Sequence, residues 1–66
     1  MDIFIQDEFA IIHNTSNVNM DGRIVKVCGV LAEYATNIFY IVTIIGHQKP
    51  GWSHFVIANA CLKKIY

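Results

Sequence analysis

Eight consecutive residues, Ile38 to Ile45, carry no charge, and an extended chain would set their apolar side chains on both of its faces. At the two-residue period of a strand, Ile38, Tyr40, Val42 and Ile44 fall on one side and Phe39, Ile41, Thr43 and Ile45 on the other. The β-branched run Ile41, Val42, Thr43, Ile44 and Ile45 favours a strand over a helix. A strand that is apolar on both faces needs cover on both. One face fills the interior of a small β domain, and in a chain of 66 residues little remains to cover the other. A second copy is the simplest cover, with Phe39, Ile41, Thr43 and Ile45 as its interface.

Composition points the same way. Hydrophobic residues make up 55% of the chain and charged ones 15%, against about 25% charged in an average soluble domain. One domain spanning residues 1–66 is expected, at a size where a hydrophobic core alone barely holds a fold. Five basic residues balance five acidic ones, so no net field draws in DNA. Cys28 and Cys61 belong to no paired-cysteine motif, and the start at Met1 and Asp2 lacks the basic stretch of a signal peptide. A reduced, cytoplasmic protein is the expectation. Val27 to Ile45 holds a single charge, Glu33, and is long enough for a membrane span. Gly29, Glu33, Asn37 and the turn-like Tyr34-Ala35-Thr36-Asn37 argue for strands instead.

Along the rest of the chain, Ile3 to Ile5 and Phe9 to His13 read as a first strand with a lead-in, or as two short strands. His13 to Gly22 is a polar loop ending in Asp21-Gly22, which supplies a positive φ for reversal. Arg23 to Leu31 is a second strand, with Ile24, Cys28 and Val30 on one face and Val25 and Val27 on the other. Asn37 to Ile45 is the third. Gly46 to Gly51 turns, Trp52 to Ile57 is a fourth strand, Ala58 to Cys61 makes one helical turn, and Leu62 to Tyr66 is the last strand.

The order of these elements resembles the five-stranded SH3-like barrel, an all-β fold with one short helical turn before the last strand. The local wording resembles small SH3-like proteins encoded by bacteriophages. It is carried by Asn17-Val18-Asn19-Met20-Asp21-Gly22 running into Arg23 to Val30, by Tyr40-Ile41-Val42, and by Gly51 to Ile57 closing with Ala60-Cys61-Leu62. The resemblance implies a binding or inhibitory module that counters host defence in the host cytoplasm. It would do so by sequestering a small anionic nucleotide-type signal within a homo-oligomer, or by gripping a host protein through an exposed apolar face. The acidic loop and paired-aromatic groove of peptide-binding SH3 domains are missing, so proline-rich peptides are not the expected ligand.

The residues suited to such a ligand are few. Trp52 offers a face for a base, with Ser53 and His54 beside it as hydrogen-bonding groups. Asn14 and Asn17 sit in a charge-free loop suited to a ribose or base edge, Tyr40 adds an aromatic ring, and Arg23 is the cation best shaped for phosphate. Each has a plainer explanation, as a barrel plug, a turn that caps its own backbone, or a core ring. No catalytic group, cofactor or metal is expected. Ser53 and His54 are adjacent and would face opposite ways on a strand, and His13 and His47 lack partners at ligand spacing. Cys28 in an apolar strand has nothing to favour its thiolate.

Overall fold

The computed structural model describes residues 3–46 and 54–65. Five antiparallel strands form one sheet: β1 (Phe9–Ile12), β2 (Ile24–Glu33), β3 (Ile38–Ile44), β4 (Phe55–Ala58) and β5 (Leu62–Lys64), in the spatial order β4-β3-β2-β1-β5. A 3-10 turn, Asn59–Cys61, links β4 to β5. The expected all-β chain of five strands, with one short helical turn before the last, is what the molecule forms.

The turn also sets the shape of the sheet. β4 and β5 are its opposite edges, which in a flat sheet would lie four strand spacings, about 19 Å, apart. The three residues joining them span only about 6 Å at the 3-10 rise. The sheet therefore rolls until its edges approach. Ile57 of β4 and Leu62 of β5 accordingly enter one core with Ala10, Ile12, Val25, Val27, Ile38, Tyr40 and Val42. Asn59 anchors the turn at this seam to the start of β3: it is buried, and its Oδ1 accepts the Ile38 backbone N–H at 3.2 Å.

β3 follows its alternation closely, with Ile38, Tyr40 and Val42 buried and Phe39, Ile41 and Thr43 half-buried on the outer side. β2 departs from a straight reading. Its register against β3 shifts between Val27 and Gly29 and again between Val30 and Ala32, so two residues of β2 oppose one of β3 at each step. These bulges break the two-residue period after Val27. Val30, expected beside Ile24 and Cys28, stands opposite buried Tyr40 instead. Within β2, β1 pairs with Ile24 to Lys26 alone, and the Asp7 N–H and Glu8 carbonyl bond Val27. Among the described residues no strand continues along that side of β2 towards Glu33.

Smaller differences lie at the ends. Ile3 to Ile5 is a non-strand lead-in followed by a turn in which Asp7 has φ 70°. β2 runs on to Glu33, and β4 begins at Phe55 rather than at Trp52, which with Ser53 lies outside the described residues. The tight turn between β2 and β3 is where composition placed it, closed by the Tyr34 N–H on the Asn37 carbonyl. No described helix is long and apolar enough to cross a membrane.

Candidate functional site

The groups suited to a small anionic ligand are not gathered by the fold. Tyr40 has no exposed surface. Its hydroxyl accepts the buried Phe4 N–H at 3.0 Å, and its ring meets that of Phe4 edge to face with centroids 5.5 Å apart. It is a core residue, covered by the lead-in. Asn17 spends its side chain on its own loop, with Oδ1 accepting the Asn19 N–H at 2.9 Å. Arg23 is exposed, but its Nε donates to the Asn19 carbonyl at 2.6 Å. The Thr15 backbone N–H donates to Asp21 Oδ1 at 3.1 Å, and Asn14, at φ 59°, is exposed beside it. The loop therefore satisfies its own polar groups, as an Asx- and Ser/Thr-rich turn does. His54 is exposed ahead of β4, while Trp52 and Ser53 lie outside the described residues. Among those residues no three His, Cys, Asp or Glu side chains cluster as metal ligands.

The lead-in is tied down by one ion pair. Lys64 of β5 bonds Glu8 Oε2 at 2.8 Å, also donates to the Ile3 carbonyl, and lies 4.7 Å from the Phe4 ring centroid. Lys64 therefore works as a clamp over the segment that covers Tyr40. The Lys64 hydrogen bond and then the Ile5 N–H hold the Glu8 carboxyl below its ordinary value of 4.5. A carboxylate depressed in the native state stabilises fully above its unfolded pKa, and that contribution fades as the pH falls through the native value. Glu8→Gln is expected to cost at most about 1 kcal/mol at neutral pH, because the pair is only partly buried. The variant should lose part of the acid sensitivity of the parent melting temperature below pH 4.5. Parallel melts at neutral and acid pH measure this, and identical pH profiles would count against the clamp.

The distinctive surface is the outer face of β2, β3 and β4. Cross-strand pairing orders it into rows. Val56, Ile41 and Gly29 form one row and Ala58, Phe39 and Ala32 the next. Towards the other end of the strands lies the row Thr43, Lys26 and Phe9. The only charge in these rows is Lys26. Tyr34, 63% exposed, stands edge to face against Phe39 at 5.8 Å between centroids, and Val56 is also exposed. Phe39, Ile41 and Thr43 of the expected interface are all on this face, and Ile45 is exposed just beyond β3. Alternation alone missed Val56, Gly29 and Ala32, since they join the face through pairing and bulges. No protein-family model matches the chain, and no curated protein and no solved structure matches it either.

Proposed function

We propose that this chain is a non-catalytic binding protein whose working surface is the outer face of β2, β3 and β4. One observation carries the reading: two consecutive cross-strand rows on that face, Val56-Ile41-Gly29 and Ala58-Phe39-Ala32, contain no polar side chain. Large apolar side chains such as Ile41 and Phe39 gain free energy when a partner removes their remaining surface from water. Aromatic residues such as Phe39 and Tyr34 are the kind that anchor interfaces. The strand order and the single helical turn between the last two strands support reading the rolled sheet as an SH3-like barrel. A fold of that kind leaves function to its surface. The contact residues of this reading are Phe39, Ile41 and Val56, with Tyr34 at the margin. Of the groups suited to a nucleotide-type anion, the fold leaves Arg23, Asn14, Asn17 and His54 exposed but encloses Tyr40, so the apolar face is the better supported surface.

Ile41→Asp tests it. The substitution puts a charge on the outer face without entering the core, so the domain should still fold by circular dichroism. The parent protein, purified from bacteria, is expected to appear as a complex by native mass spectrometry, whether with itself or another protein. The variant should appear as a folded single chain. A parent recovered only as a single chain would defeat the reading.

A further inference from the structure

The two apolar rows share a pattern of residue size. In each, β3 carries a large side chain and its partner position on β2 a small one, Ile41 against Gly29 and Phe39 against Ala32. Gly29 leaves open space on this face, since a Cβ built there would meet nothing within 4 Å. We propose that the partner of this face is a second copy of the chain, packed about a two-fold axis that runs along the strands between β2 and β3. Such an axis turns each β3 over the β2 of the copy and keeps every row at its own level. Each Ile41 is then set over a Gly29 of the copy, and each Phe39 over an Ala32. An isologous interface needs this kind of patch, with large and small residues related by one rotation.

The chemistry at the ends of the strip agrees with that placement. One step along the strands, Thr43 meets Lys26 of the copy, whose aliphatic stem covers apolar surface while its ammonium reaches water. No like charges are brought together, because Lys26 lies over a threonine. Tyr34, edge to face with Phe39, closes the other end as a half-wet aromatic rim. The rolled sheet presents a convex face, so contact is limited to a strip about two to three strands, or roughly 10–14 Å, wide. The pair therefore belongs with small interfaces that exchange rather than with obligate ones. This assignment rests on the reading of the outer face as the working surface, and goes beyond it in naming the partner and the seating.

Gly29→Val tests the seating. Gly29 does not have a positive φ and has open space where a side chain would stand, so the single chain tolerates valine. Filling that space leaves no room for Ile41 of the copy. Sedimentation equilibrium over a concentration series should show twice the chain mass for the parent and loss of the dimer for Gly29→Val, with an unchanged or raised melting temperature at high dilution. Adding Ile41→Ala to Gly29→Val shrinks the projection and should recover association. Ala32→Ile enlarges the small residue of the second row and provides an independent variant should Gly29→Val misfold. A parent that stays single at every concentration overturns the proposal. So does a Gly29→Val protein as dimeric as the parent, or a double variant no more associated than the single one. If Gly29→Val leaves the dimer intact while Ile41→Asp dissolves it, the seating falls and the outer face stands. A parent that is single alone, yet joined to another protein through Ile41, separates the two claims in the same way.

Discussion

Tyr40→Ala is expected to leave the protein mostly unfolded at room temperature, and Tyr40→Phe to lower its melting temperature measurably. Among the described residues Tyr40 is the largest fully buried side chain, placed mid-strand in β3. Truncating a buried aromatic ring costs about 3–5 kcal/mol. At roughly 0.05–0.15 kcal/mol per residue, a domain of this size holds only about 3–10 kcal/mol in total. The phenylalanine variant isolates the hydroxyl. It keeps the ring but removes the hydroxyl that accepts the buried Phe4 N–H, a loss worth about 1–3 kcal/mol. For a domain of this length each kcal/mol moves the midpoint by about 4–8 °C. Thermal melts followed by circular dichroism read both. Hydrogen exchange at the Phe4 amide should rise in Tyr40→Phe before any global change. If that amide stays protected and the midpoint moves by less than about 4 °C, the hydroxyl does not hold the lead-in.

The second large effect is expected at the seam. Asn59→Leu places an apolar side chain where Oδ1 accepts from Ile38, and leaves a buried N–H with no acceptor. That costs about 1–3 kcal/mol, and because leucine branches at the same atom as asparagine the change in side-chain length adds nothing to it. Asn59→Asp preserves the acceptor geometry but buries a charge, so it should resemble the parent in acid and weaken as the pH rises through the aspartate titration. The contrast between the two variants identifies the hydrogen bond rather than side-chain volume as the cause. If Asn59→Leu melts with the parent, the roll of the sheet does not depend on this contact.

The strand inventory was legible because burial imposes a two-residue period and β3 obeys it from Ile38 to Val42. Asp21-Gly22 and Tyr34 to Asn37 marked the reversals through their turn chemistry, and Gly22 does adopt φ 90°. The lead-in was harder to read. Ile3, Phe4 and Ile5 look like a strand, yet only Phe4 is buried, held by Tyr40 in β3 and by Lys64 in β5. No local pattern encodes a contact across so much sequence. Tyr40 was misleading for a related reason, because a ring that can stack on a ligand can equally fill a core. Gly29 carries a further signal, since an isolated glycine in an apolar strand often marks a bulge, and the first register shift of β2 falls beside it.

The two bulges have a consequence for how this protein avoids sticking to itself in the wrong way. Beyond Val27, the side of β2 away from β3 has no neighbouring strand among the described residues, and its sequence there, from Gly29 to Ala32, is apolar. A straight stretch of that composition would template strand after strand and grow into fibrils. Twice beyond Val27, at Cys28 and at Leu31, an extra residue disturbs the spacing of backbone donors and acceptors, so an incoming strand finds no continuous ladder to match. Growth by edge addition is thereby discouraged, and the apolar surface is left to a contact that uses itself up when two faces meet.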